Sequence, residues 1–303
     1  MTVETFEQAL PSGVVLSCRA SGPPDAPLLV FLHGFPEAAF VWDALLERFA
    51  AADPPFRCLA PNLRGFEASS SPAEVEAYRA KHLVGDLDAL IAAHGGRARA
   101  VVAHDWGGAV AWSFAALRPE RLERLVIVNS PHPATFLREL RSNPAQQAAS
   151  AYMLFLCRPD AERLLAENDF ARLFGFLTAM GADDPSQPGG GWLDAASRER
   201  YRAVWSRGLT GGCNYSRAWP LKPPPAPLDA IDLPDAAVTV RVPTLVLWAE
   251  RDLALLPSLL DGLERWVPDL TVRRVPDATH WILHERPALV GDAVAEFLRP
   301  PDA

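Results

Sequence analysis

Through the first half of the chain, short apolar runs alternate with stretches whose apolar residues recur at helical spacing. Val14–Cys18, Leu28–Leu32, Arg57–Ala60, Ala98–Ala103 and Leu125–Val128 predict strands. Three of these runs are continuously apolar, as strands covered on both faces are. Between them, Val41–Ala52, Val75–Ala93 and Gly107–Leu117 carry the helical period. A strand–helix alternation of this kind predicts a parallel sheet with helices on both faces.

The alternation stops near Ser130. From Leu137 to about Tyr201 the pattern is mostly helical, clearest at Tyr152–Leu156 and Arg163–Leu177. Asp183–Gly191 (DDPSQPGGG) is a loop by composition. Pro220–Pro227 (PLKPPPAP) fits neither helix nor central strand. Thr244–Trp248 and Leu270–Val275 then predict further strands, and Pro287–Leu298 a closing helix. The economical arrangement is one α/β core, residues 1–136 and 236–303, split by a helical insertion over residues 137–235.

Composition narrows the function without choosing it. The 303 residues are 49% hydrophobic and 22% charged, ordinary for a soluble globular chain. A net charge of −8 argues against nucleic acid as a partner and gives no reason for attraction to anionic lipid. The four cysteines, Cys18, Cys58, Cys157 and Cys213, have no metal-ligand spacing and read as free thiols in a reducing compartment. The first residues lack a basic and then apolar leader pattern, and no apolar run approaches the ~18 residues of a membrane span. The expectation is a cytoplasmic protein, monomer or homodimer, acting on a small molecule without metal or cofactor.

The candidate chemistry centres on VVAHDWGGAVAW, residues 101–112, where a strand meets a helix and Asp105 stands at the joint. Gly107 and Gly108 permit a sharp turn with close backbone approach. This is the layout of a nucleophile elbow with Asp in place of Ser. A carboxylate nucleophile gives an alkyl-ester intermediate; the plain alternative is a helix cap. Such a nucleophile needs a base to activate water, a group to orient the base, and oxyanion donors. His280, on the loop after Leu270–Val275, is the candidate base; its alternative is a surface or core histidine. His284 follows one helical turn later, without a third ligand at metal spacing. Asp252, past the end of Thr244–Trp248 where open α/β sheets place ligands, is the candidate orienting acid, with Glu250 as rival. The oxyanion donors are expected to be the backbone N–H groups of Trp106 and Phe35, since Pro36 has none to give.

These residues together resemble the α/β-hydrolase fold and, within it, the soluble epoxide hydrolases. HGFPE (His33–Glu37) looks like the family's oxyanion loop, with a cis proline peptide. HDWGG (His104–Gly108) looks like its aspartate elbow, shared with haloalkane dehalogenases. NSPHP (Asn129–Pro133) resembles the lead-in to its helical cap. The resemblance implies that Asp105 attacks a ring carbon of an epoxide, and that water activated by His280, held by Asp252, then hydrolyses the ester to a vicinal diol. It also implies two cap tyrosines that donate to the alkoxide. Tyr152 looks like the first. At the second the sequence departs: Asn214-Tyr215-Ser216-Arg217 puts Ser216 where the family has its tyrosine, a much weaker acid than a phenol. Tyr215 is then the candidate substitute, and His33, Pro36, Trp106, Ser216 and Trp281 the expected substrate contacts.

The nearest rival is a dehalogenase, haloalkane or haloacid, using the same Asp-His-Asp triad with N–H donors for the halide. Phe35 stands where haloalkane dehalogenases tend to carry a halide donor, and Trp106 where haloacetate dehalogenases carry Arg. The elbow lacks the Ser of an esterase. A binding protein on the same fold is a third possibility, since fold does not imply function.

Overall fold

The computed structural model describes residues 2–186 and 189–299. Eight strands form one sheet: β1 (Glu4–Ala9), β2 (Val15–Ser21), β3 (Leu28–Leu32), β4 (Arg57–Pro61), β5 (Ala100–His104), β6 (Leu125–Val128), β7 (Thr244–Ala249) and β8 (Leu270–Val275), in the order β1-β2-β4-β3-β5-β6-β7-β8. β1–β2 and β2–β4 pair antiparallel, and every later pairing is parallel. The central strands β3, β5, β6 and β7 are buried along their whole length. That is why they read as unbroken apolar runs. β1 was not expected. It is an edge strand whose residues are mostly wet on both faces, so it carries no apolar signature. The opposite edge, β8, is exposed over most of its length for the same reason.

Helices α1 (Asp43–Ala50), α2 (Ala80–Ala93), α3 (Asp105–Leu117), α11 (Ile282–Glu285) and α12 (Pro287–Leu298) cover the sheet. On one face, Leu45, Leu46 and Phe49 of α1 share a core with Val290 and Val294 of α12. On the other, Leu87 and Leu90 of α2 pack with Val110 and Phe114 of α3. The stretch expected as one helix over 75–93 is broken by extended backbone at Arg79 into a short 3-10 turn and α2.

Between β6 and β7 the described residues form helices and loops only: α4 (Pro133–Ser142), α5 (Pro144–Ala149), α6 (Tyr152–Leu156), α7 (Ala161–Thr178), α8 (Ala195–Trp205), α9 (Thr210–Ala218) and the one-turn α10 (Asp235–Val238). The helical insertion therefore has more pieces than periodicity suggested. α7 is kinked at Glu167–Phe170, where Asn168 and Asp169 take left-handed backbone, a conformation these two residue types tolerate better than most.

The insertion sits flush on the core. A Cβ at Gly211 of α9 would lie 2.3 Å from both Cα and O of Gly65, and one at Gly212 would lie 2.9 Å from the Phe35 ring. Gly65 has φ +87°, so both sides of this contact require glycine. Gly85, inside α2, has nothing within 4 Å of its would-be Cβ. Gly211→Ala is expected to lower stability by about 1–3 kcal/mol through overpacking. Gly85→Ala should raise it by about 0.5–1 kcal/mol, the helix-propensity gain. Thermal melts of the two variants check the sign of each.

Candidate active site

β5 ends at His104 and α3 begins at Asp105, whose φ is +50°. A non-glycine residue in this region is strained by about 1–3 kcal/mol and persists only where its surroundings enforce it. Three small residues do so. A Cβ at Gly34 would fall 2.3 Å from the Asp105 side chain. At Gly107 it would fall 2.5 Å from the Leu32 carbonyl oxygen, and at Gly108 2.3 Å from Ser130 Cβ. The Ser130 hydroxyl donates to the Asp105 carbonyl at 2.7 Å. The corner thus has room for glycine alone, and it presents the Asp105 carboxylate at the end of the strand.

The two carboxylate oxygens have different surroundings. The Phe35 N–H donates to Oδ1 at 2.7 Å, and Oδ2 lies 3.6 Å from His280 Nε2. The Trp106 N–H is in the first turn of α3, where amides have no helical acceptor. The Phe35–Pro36 peptide is cis, as the resemblance implied.

His280 Nδ1 donates to Asp252 Oδ2 at 2.6 Å. Asp252 is buried, and its remaining acceptor capacity is filled. Asn129 Nδ2 donates to Oδ2 at 2.9 Å, while the Ala254 and Leu255 amides donate to Oδ1 at 2.8 and 3.1 Å. Burial alone would push the Asp252 carboxyl up; the His280 imidazole and these donors outweigh it and hold the carboxyl below its usual range. Burial would likewise lower His280. Asp252 and then Asp105 overcome it and raise the imidazole to about 9. The imidazole lies between the two carboxyl groups, 2.6 Å from Asp252 Oδ2 and 3.6 Å from Asp105 Oδ2. Glu250, the rival acid, pairs with Arg274 at 3.0 Å and does not contact His280.

A second polar layer lies behind the first. Glu37 is buried, with the Tyr201 hydroxyl donating to its Oε1 at 2.8 Å and His284 Nε2 2.7 Å from the same atom. His104 Nδ1 stands 3.3 Å from Glu37 Oε2, and its Nε2 donates to the carbonyl of His280 at 2.9 Å. Burial would raise the Glu37 carboxyl, but the surrounding histidines hold it well below its usual range. Sequence reasoning gave Glu37, His104, Tyr201 and Asn129 no role. Glu37, His104 and Asn129 lay inside the quoted motifs, and His104 and Asn129 stand as polar residues at the ends of the apolar strands β5 and β6, which was the available signal. The metal-like spacing of His280 and His284 has a simpler account: His284 faces Glu37, with Trp192 stacked on it at 3.9 Å.

A cleft opens over Asp105. Phe35, Pro36, Trp106, Tyr152, His280 and Trp281 are on its walls. Burial and the charges of Asp105 and Asp252 raise the Tyr152 phenol, so it stays a proton donor at neutral pH. Three expected residues are elsewhere. Tyr215 is buried, and its hydroxyl donates to the Arg64 carbonyl at 3.1 Å, because α9 presents it to a core loop that the Arg64–Asp86 ion pair anchors. It does not substitute for a cleft phenol. Ser216 is fully buried, its hydroxyl without a partner, and it does not line the cleft. His33 is fully buried, accepting from the Leu63 N–H at 3.0 Å and donating to the Gly34 carbonyl at 2.9 Å. Burial lowers it to about 4, so it is a neutral pin for the loop and not a substrate contact.

The alpha/beta hydrolase fold family matches residues 27–287. The chain is 33% identical to the AB hydrolase superfamily protein YfhM of Bacillus subtilis (strain 168), over 95% of this chain and 96% of that one. It is 32% identical to epoxide hydrolase 3 of Xenopus tropicalis, over 95% and 76%. The solved structure of a Bacillus megaterium epoxide hydrolase with an inhibitor superposes with a TM-score of 0.87 at 30% identity, covering 97% of this chain and 99% of that one. An epoxide hydrolase from hot-environment metagenomes superposes at 0.86 with 37% identity, covering 99% and 100%. With an eight-stranded, mostly parallel sheet and relatives of this kind, the chain belongs to the α/β-hydrolase family, is similar to the epoxide hydrolases within it, and is a hydrolase.

Proposed function

We propose that the protein opens epoxides to vicinal diols through an ester on Asp105, with residues 137–235 acting as a cap over the site. One observation carries the reading: Asp105 lines the cleft with its Oδ1 held by a backbone N–H and its Oδ2 3.6 Å from His280 Nε2, and a phenol stands on the same cleft wall. In the first step Oδ2 attacks a ring carbon. The C–O bond of the ring breaks, its electron pair goes to oxygen, and the Tyr152 hydroxyl protonates the alkoxide, leaving a phenolate. Esterification removes the Asp105 charge, one of the charges that raise His280. The imidazolium then loses its proton to the phenolate and becomes a base. In the second step it takes a proton from water as the oxygen attacks Asp105 Cγ, and the oxyanion is received by the Phe35 and Trp106 amides. Collapse breaks the ester C–O bond and releases the diol, its new hydroxyl taking the acidic proton of the regenerated carboxyl. Asp105 ends as carboxylate, His280 as imidazolium and Tyr152 as phenol, so one water is consumed and the enzyme is restored.

A second reading, dehalogenation, has one observation in its favour. The buried Trp281 indole N–H has no partner, and its ring lines the cleft, so it is a candidate halide donor. The same Asp105 ester would form, with halide release in place of ring opening. Incubation with styrene oxide and with a haloalkane distinguishes the two by product.

Asp105→Asn is expected to abolish turnover with an unchanged melt. His280→Gln should trap a covalent adduct one substrate mass heavier in intact mass spectrometry; retained turnover in purified Asp105→Ala would falsify the nucleophile. Tyr152→Phe removes the phenol on the cleft wall, and with Tyr215 turned away none of its neighbours replaces it. Ester formation in single-turnover kinetics should fall about 10²–10⁴-fold. His280 also makes stability pH-dependent. Its folded value of about 9 exceeds the ordinary 6.5, so its contribution is complete below pH 6.5 and is lost as pH rises toward 9. About 3 kcal/mol should disappear across that window, and the slope of Tm against pH should flatten in His280→Gln.

A further inference from the structure

The helical insertion reaches past the cleft and grips the turn that carries Phe35, a proposed oxyanion donor. Residues 34–37 close as a four-residue turn, with the Glu37 N–H donating to the Gly34 carbonyl at 3.1 Å. His33 Nδ1 donates to that same carbonyl at 2.9 Å. Core contacts therefore fix one end of the turn. The other end is fixed from α8, where the Trp205 indole N–H donates to the Pro36 carbonyl at 2.6 Å. Trp205 is 3% exposed, its ring packed against Phe170 and Phe174 of α7 and Tyr201 of α8. It lies off the walls of the cleft, so it does not touch a substrate there. It bears on Asp105 only through the turn, whose Phe35 N–H donates to Oδ1 at 2.7 Å.

The two steps of the proposed reaction ask different things of that Phe35 N–H. When Oδ2 attacks carbon, charge leaves the carboxylate and the bond from Phe35 weakens. When water adds to Asp105 Cγ, its proton goes to His280 and the C=O electron pair moves onto Oδ1. Full negative charge then forms on the atom that the Phe35 N–H faces. A donor helps most where charge develops, and only if it is already in place. A misplacement of about 1 Å costs on the order of 10² in rate. The Pro36 carbonyl is buried at its contact with Trp205. Without the indole N–H it becomes an unsatisfied buried acceptor, and the turn is free to shift toward another donor. We propose, on the Asp105-ester reading above, that Trp205 is a positioning residue for ester hydrolysis. Its N–H holds the Pro36 carbonyl, and through it the Phe35 amide, at the place where Oδ1 becomes an oxyanion. The contact makes the insertion part of the second step, since an insertion displaced from the core leaves the turn held at one end only.

The test separates the donor from the bulk of the ring. Trp205→Phe keeps a ring and removes the N–H. Trp205→His drops the second ring of the indole but keeps an N–H, because histidine Nε2 holds the place of indole Nε1 when the five-membered ring is flipped about χ2. Phe174→Leu loosens the packing around Trp205 and leaves its N–H alone. Single-turnover kinetics, quenched and read by intact mass spectrometry, measure ester formation and ester hydrolysis separately. The probe is styrene oxide or, where the wild type consumes that instead, a haloalkane. Trp205→Phe is expected to slow hydrolysis by about 10–100-fold and formation by less than about threefold, so that adduct builds up. Trp205→His should recover most of the loss, and Phe174→Leu should leave the ratio of the two rates unchanged. If Trp205→Phe fails to fold, Trp205→Met takes its place, donor-free and able to fill an irregular gap. Unchanged hydrolysis or equal slowing of both steps in the donor-free variant overturns the positioning role and leaves the ester mechanism standing. So does Trp205→His hydrolysing no faster than that variant, or a ratio moved by Phe174→Leu. A wild type that forms no ester from either probe overturns the nucleophile reading, and the proposal with it.

Discussion

One imidazole held between two carboxylates sets the terms for the rest of the site. A buried cation and two nearby anions are stable together only if each charge is matched and each polar atom has a partner. Asp252 meets that condition with four donors from three separate segments: Asn129 after β6, the amides past β7, and His280 after β8. The parallel ends of β6, β7 and β8 are therefore tied at the point where the sheet delivers them. The sheet registers and the triad geometry enforce each other.

The glycines around Asp105 do the corresponding work for the other carboxylate. They do not make the corner flexible. They let Leu32, His33 and Ser130 approach so closely that the left-handed conformation of Asp105 has no room to relax. Strain at the corner is sustained because the neighbouring backbone is fixed by fully buried strands.

How much of this was legible in the sequence depended on how local the signal was. Asp105, Asp252 and His280 each follow an apolar strand run, and the parallel alternation placed those strand ends on one edge. Three residues spread over more than half the chain could be brought together on paper. β1 could not be read, because an edge strand wet on both faces has no apolar period. Tyr215 was misplaced for a different reason. Adjacent positions on a helix differ by about 100° in direction, and periodicity cannot say which of Tyr215 and Ser216 meets the cleft. The structure sends Tyr215 to Arg64, and Ser216 is buried outside the lining. The Glu37, His104, Tyr201 and His284 cluster was illegible because it is made from four segments distant in sequence, one in the helical insertion.

That cluster explains a division of labour between the two sides of the wall formed by His280 and Trp281. Behind it, Glu37 Oε1 is hydrogen-bonded to Tyr201 and His284, and His104 holds the backbone of His280 through its carbonyl. In front of it, the cleft is nearly bare of polar atoms apart from those of the proposed reaction. A low-polarity cleft strengthens the interaction between Asp105 and His280, because few dipoles compete for either charge. The same environment raises Tyr152 and keeps it a phenol. Moving Glu37 and its partners into the cleft would supply more hydrogen bonds, but it would screen the Asp105–His280 pair on which the proposed reaction relies. Orientation is therefore supplied from behind the wall, through the His104 contact to the His280 carbonyl, and the proposed chemistry in front is left to three side chains.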